Sequence, residues 1–344
     1  MRDDVSAEAA EARLPARIAH PSGQAGVLES YARAQRNVLE LIPREAFHDW
    51  RVTGTFPARF HMITEPGAIR RVLQTRVEDY PKADIARAML APVIGESMLV
   101  AEGQDWRRQR RAAAPAFAPR HLDGLTPVMS AAAERASARV KAQAGRAADM
   151  MAEMTLATFE VISDVTFSGE AGVDRGAVER ALLAYGEAAG RMSFLDVLGA
   201  PAWVPRPGRM RPNPALDAMK AEADARIAAR RDRPRDGAPD LLDLLVRAEG
   251  PGEQDFAGAD VRDNLLAFIV AGHETTALTL AWALYLLAFD EGVQDRAREE
   301  ARSVLGARTA EAEDVSQLPF IRAVLDETLR LYPPAAFLSR QAAE

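Results

Sequence analysis

Five consecutive residues, Gly272-His273-Glu274-Thr275-Thr276, place a carboxylate and two hydroxyls midway along an otherwise apolar run from Asn264 to Asp290. Between those two ends Glu274 is the single formally charged residue. On a helix, Thr275 lies one turn after Ala271, so its hydroxyl can bond back to that carbonyl and bend the helix. Gly272 leaves room for a bound group to approach the backbone. A bent notch of small residues beside a carboxylate and a hydroxyl suggests a chemical site; a satisfied polar core is the alternative.

Two further clusters carry chemistry. In Asp105-Trp106-Arg107-Arg108-Gln109-Arg110-Arg111, four arginines occupy five positions. Trp106 and Arg110 share a helical face, where an indole N–H and a guanidinium could clamp a carboxylate or phosphate. A solvated helix face is the other reading of such a charge run. Glu327 and Arg330 are three apart, with Val324, Leu325, Leu329 and Leu331 around them. Those apolar flanks predict a buried pair, which would need more partners than each other. His273-Glu274 begins a zinc-protease pattern, but position 277 is Ala, and His20, His48, His61 and His121 have no ligand spacing. No metal site is expected from these residues.

The elements that must position these groups are mainly helical. By length and apolarity the 264–290 run could cross a membrane, but its polar midpoint suits the centre of a large soluble α-protein better. No membrane anchor is therefore expected. Val27 to Ile42 has helical spacing and ends at Pro43. Residues 47–62 read as a β-hairpin about a Thr-Gly-Thr turn. Glu65-Pro66-Gly67 opens a helix running towards Tyr80-Pro81. Residues 82–104 read as an irregular loop with short helices. Leu122 to Leu245 is a succession of helices in which Met150, Met151 and Met154 are core filler. Residues 200–214 form a Pro/Arg-rich loop, and 230–240 a polar linker. Asp260 is a candidate cap for the central helix, Glu291–Leu305 is a charged outer helix, and Pro333-Pro334 stops the last one.

Composition narrows the class. The 344 residues carry a net charge of −7, which argues against nucleic acid as a partner. They contain no cysteine, so disulfides, zinc thiolates and cysteine-held iron–sulfur clusters are excluded. The acidic start, MRDDVSAEAAEARLPARIAH, has no apolar signal region, and the cytoplasm is the expected location.

Taken in order, Trp106-x-x-x-Arg110, Ala271-Gly272-x-Glu274-Thr275-Thr276 and Glu327-x-x-Arg330 resemble the cytochrome P-450 superfamily of heme-thiolate monooxygenases. The resemblance runs from about Val27 to the end. It implies a single, mainly α P-450-like domain over 1–344 with a small N-terminal hairpin. It implies heme b as cofactor, O2 and a small apolar organic substrate, and electrons from a ferredoxin or flavodoxin-type partner. By the same resemblance Trp106, Arg110 and Arg340 bind heme propionates, Ala271 and Gly272 line the oxygen groove, and Glu274 and Thr275 relay protons. Glu327 and Arg330 form a structural pair that supports the heme-binding core, and Arg107, Arg108 and Arg111 add to a basic docking face. The family's cysteine loop, downstream of Glu-x-x-Arg, has no counterpart here. The resemblance therefore implies a chain truncated before its C-terminal heme-binding segment, inactive alone. A non-catalytic helical ligand-binding protein on the same scaffold is the alternative.

Overall fold

The computed structural model describes residues 15–23, 25–54, 59–118, 121, 123–167, 195, 204, 214–234, 239–248, 256 and 258–343. The helices are α1 Val27–Arg36, α2 Pro66–Arg70, α3 Asp84–Ile94, α4 Gly103–Ala113, α5 Thr126–Ala142, α6 Met150–Phe167, α7 Pro214–Asp232, α8 Leu241–Arg247, α9 Gly258–Phe289, α10 Glu291–Leu305 and α11 Pro319–Leu331. Strands β1 Arg51–Gly54 and β2 Phe60–Ile63 pair antiparallel, Arg51 opposite Ile63 and Gly54 opposite Phe60. The fold is thus mainly α with a small hairpin, as expected.

Helix α9 is the axis. Its apolar residues go all the way round, the pattern of a helix enclosed by others. Its N-terminal half buries Val261, Leu265, Leu266, Ala267 and Ile269 in one core with Val93 and Ile94 of α3, Phe159 of α6, Met219 and Ile227 of α7, and Leu242 and Leu245 of α8. Its C-terminal half packs against α11, and Trp282 stacks on Tyr332 just beyond that helix.

Local signals set most ends. Pro66 occupies the first turn of α2, and the Glu65 carboxylate accepts from the Gly67 and Ala68 amides. Asp240 and Asp243 cap α8 reciprocally. Asp290 caps α10 through the Val293 amide. Helix α11 has no cap of its own; Glu300 of α10 accepts from the Phe320 and Ile321 amides at 2.9 and 2.8 Å, which fixes the angle between the two helices.

Several expectations give way. The strands begin at Arg51 because Arg44–Phe47 closes a 3-10 turn. Thr53 and Gly54 lie in β1 and not in the turn, with the Phe60 ring covering the space a Cβ on Gly54 would need. Residues 55–58, between the two strands, lie outside the described residues, as do most of residues 200–214, expected as a loop. Within residues 82–104, expected as an irregular loop with short helices, residues 84–94 form one regular three-turn helix with Pro92 inside it. The methionines of α6 fill no core, since Met151 is exposed and Met150 and Met154 are half-buried. Arg230, assigned by sequence to a polar linker, ends α7 buried against Asp240 and Asp243 at 2.8 and 2.7 Å. A run of charges hides this triad because composition cannot show which cation turns inward.

Candidate functional site

The middle of α9 is uncovered on one side. Within a helix whose N-terminal half is core, Ala271, Glu274, Thr275 and Thr276 are exposed while His273 and Ala277 are buried. His273 packs edge-on against Phe159, which anchors the opposite side of the helix to α6. A Cβ added to Gly272 would touch only Ile162, at 3.4 Å or more, so its other side is open. The Thr275 hydroxyl donates to the Ala271 carbonyl at 2.6 Å, and the Thr279 hydroxyl donates to the Thr275 carbonyl at 2.9 Å. Two such back-bonds in succession favour a bend at the notch.

Helix α4 presents the second group. Trp106 is exposed, and so is Arg110 one turn on. Two other arginines of the run have carboxylate partners. Arg107 pairs with Glu78, and Arg108 holds Asp260 with two bonds of 2.5 and 3.1 Å. Of the expected basic face of Arg107, Arg108 and Arg111, Arg108 turns inward to Asp260, whereas Arg107 pairs with Glu78 at the surface, the two side chains 51% and 73% exposed. Asp260 in turn is no helix cap, because α9 already starts at Gly258.

A buried polar network, unforeseen from sequence, ties α4 to α9. Asn264, fully buried, donates to Gln109 Oε1 at 2.7 Å and to the Asp260 carbonyl at 2.8 Å, and accepts from the Met98 amide at 3.1 Å. Gln109 donates to the Glu96 carbonyl at 2.7 Å. Asp263 accepts from the Glu96 amide at 2.9 Å. From the other side the Lys82 ammonium donates to the Met98 and Ala101 carbonyls at 2.9 and 2.6 Å, and burial holds its pKa below the usual lysine value. The 95–102 loop that leads into α4 is thus pinned on two flanks. A polar residue directly before an apolar run, Asn264 before Leu265-Leu266-Ala267-Phe268-Ile269-Val270, was the one sequence signal for it.

Arg340 sits in a short bridge to Lys82, where the Gln341 and Ala343 amides donate to the Pro81 and Asp79 carbonyls. Its guanidinium donates to the Ser339 carbonyl at 2.9 Å. Glu327 and Arg330 make the expected pair on α11 with bonds of 2.6 and 2.7 Å, but they are not buried: 54% and 66% of the two side chains is exposed. The exposure follows from the helix face, since Leu329 and Leu331 beside them are also uncovered among the described residues. Each partner favours the other's charged form, holding the Glu327 carboxyl below its ordinary range.

The cytochrome P450 family model matches residues 51–344. The chain is 32% identical over 298 residues to a cyclooctat-9-en-7-ol 5-monooxygenase of Streptomyces melanosporofaciens, covering 83% of this chain and 62% of that one. It is 27% identical over 305 residues to the chloroplastic protein LUTEIN DEFICIENT 5 of Arabidopsis thaliana, covering 83% of this chain and 50% of that one. It therefore spans about half to three-fifths of the length of these curated relatives. A crystal structure of a cytochrome P450 (CYP102L1) superposes with a TM-score of 0.75 at 25% identity, over 96% of this chain and 74% of that one.

The expected cytoplasmic location is overturned. The Arabidopsis relative is named chloroplastic, and α9 is long and apolar enough to cross a membrane. The absence of an apolar start says nothing against either, and with it falls the ground for excluding a membrane.

The residues present fit part of a heme. The open notch on α9 suits the flat face of a macrocycle, and Trp106 with Arg110 suits its anionic edge. They do not fit its iron, because the 344 residues contain no cysteine to supply a thiolate.

Proposed function

Because this chain belongs to the cytochrome P450 family, we propose that it supplies, as one domain, the distal wall and the propionate grip of a heme monooxygenase site, the thiolate coming from polypeptide beyond these residues. The exposed notch of Ala271, Gly272, Glu274 and Thr275 in the middle of a core helix carries this reading. Where the buried first half of the helix ends, Glu274 and Thr275 stand exposed beside the space left by Gly272, so a bound group could reach both from the same side.

A heme held by a thiolate supplies the oxidising chemistry at this position. Trp106 and Arg110 bind its carboxylates, the indole N–H as a neutral donor and the guanidinium as a charged one. Arg340, next to Lys82 on the bridged segment, adds positive charge to that edge. Gly272 keeps the wall thin where O2 must fit. Glu274, exposed and able to exchange protons with water, passes them to the Thr275 hydroxyl. That hydroxyl already donates to Ala271, so its lone pairs stay turned towards the notch. Glu327 and Arg330 wait as a preformed pair for a cation from the segment that completes the fold. Arg111 and the uncovered part of the α4 face receive an acidic ferredoxin or flavodoxin-type electron donor. The substrate is a small apolar organic molecule.

Thr275→Ala tests the proton role in a chain joined to the segment that bears the cysteine. Heme content and substrate affinity should stay unchanged while more hydrogen peroxide is released per electron pair consumed. Unaltered coupling would reduce Thr275 to a helix-bending residue. A second reading, a scaffold that binds a ligand without catalysis, is favoured by the lack of any cysteine in these residues. It requires that the same extension give no turnover at all.

A further inference from the structure

We propose that Gln109 and Asn264 are positioning residues: their buried amide pair sets the rotation of α4 about its axis and so aims Trp106 and Arg110 at the anionic edge of the ligand on α9. The inference rests on the propionate grip proposed above and adds the device that orients it.

The bond between the two side chains joins helices that are 155 residues apart in sequence. Gln109 is one residue before Arg110 and three after Trp106, so on a helix it projects roughly 60–100° around from both. Turning Gln109 into α9 necessarily turns Trp106 and Arg110 away from α9's core face. Arg108, on the same inner side, is held by Asp260 one turn before Asn264. The two clamps resist rotation together, as a single bond could not.

Both amides are used fully on the side that matters. Asn264 spends its N–H groups on Gln109 and Asp260 and its oxygen on Met98. Gln109 spends its oxygen on Asn264 and an N–H on Glu96. In a dry interior a satisfied network of this kind has one geometry, since any slip strands a buried polar group. Apolar packing would hold α4 against α9 equally well but would leave its rotation soft. From Asn264 to Thr275 is eleven residues, roughly 16 Å along α9. The lock therefore fixes the anion grip relative to the notch without touching either.

The test uses the whole chain with Trp50, Trp203 and Trp282 changed to Phe, so that Trp106 alone reports. Protoporphyrin IX and its dimethyl ester, which lacks the two carboxylates, are titrated in parallel. The unlocked variant carries Asn264→Leu together with Gln109→Leu, because removing both partners costs far less stability than stranding one. The swapped variant carries Asn264→Gln together with Gln109→Asn. Unlocking should weaken the diacid roughly tenfold, leave the ester unchanged and raise the local mobility of Trp106 in its anisotropy decay. The swap should recover most of the loss. Equal weakening of both porphyrins, or of neither, in a variant that melts as the parent does would overturn the proposal. If the parent itself, like Arg110→Ala, fails to prefer the diacid, the propionate grip is wrong instead. The lock is then judged by Trp106 mobility alone, and an unchanged decay disproves it.

Discussion

Gly95 shows how far a single residue can be constrained by a partner distant in sequence. Its backbone is left-handed, with φ of +54°, and a Cβ there would lie 2.0–2.6 Å from the Asp263 carboxylate. Both the turn and the approach of α9 demand glycine. Gly95→Ala should cost roughly 1–3 kcal/mol in urea unfolding, through strain and a displaced carboxylate that caps the Glu96 amide. A substitution without effect would mean that the 95–102 loop is not pinned as described. Trp106, Arg110, Glu274 and Thr275 stood out in the sequence by type and spacing, and the family resemblance gave them the roles proposed above. Lys82, Gln109 and Asn264 could not, because each is an ordinary polar residue until a helix far away in sequence supplies its partner.

At the scale of elements, two connections are held by charge. The α7–α8 connection closes on Arg230, whose guanidinium lies between Asp240 and Asp243 with all three about 4% exposed. Arg230→Met would leave two buried carboxylates facing each other and should cost about 3–5 kcal/mol by chemical denaturation. Changing all three to apolar residues should recover most of that loss. The α10–α11 connection closes on Arg308 and Asp314. The guanidinium hydrogen bond, helped by the Glu311 amide, lowers the Asp314 pKa from 3.8 to about 2. A carboxyl depressed in the fold stabilises it fully above its unfolded pKa and ceases to as pH falls through the folded one. Between about pH 4 and pH 2, therefore, the melting temperature of the parent should fall more steeply than that of Asp314→Asn. Parallel acid profiles would show that the pair does not secure this turn. The Glu327–Arg330 pair differs because it is open to solvent, and exposed pairs of this spacing contribute little.

For the whole molecule, the uneven burial of α9 is the main consequence of the fold. Its first half is core, whereas Leu284 and Phe289 in its second half are exposed, as are Leu329, Leu331 and Leu338 around α11. Apolar surface of that kind favours association. Leu329→Lys with Leu331→Lys should lower light scattering of the concentrated chain, and unchanged scattering would place the association elsewhere. Hemin added to the chain, then reduced under carbon monoxide, should give no thiolate-type band, since none of the 344 residues is a cysteine. Appearance of that band would refute the division of the site between this chain and a further segment.

By itself the sequence determined the mainly helical class, the central helix with its polar notch, the Trp-x-x-x-Arg and Glu-x-x-Arg clusters and the family they indicate. Those depend on residue types at fixed local spacing, which a helix converts directly into shared faces. Burial was decided only in three dimensions. Glu327 and Arg330 looked buried from their apolar neighbours and are exposed, while Arg230 looked like linker and is core. Arg108 looked like part of a docking surface and is held inward by Asp260. For Arg230 and Arg108 the deciding partner lies beyond the reach of one helical turn, and for Glu327 and Arg330 what decided was which face of the helix the rest of the chain leaves uncovered.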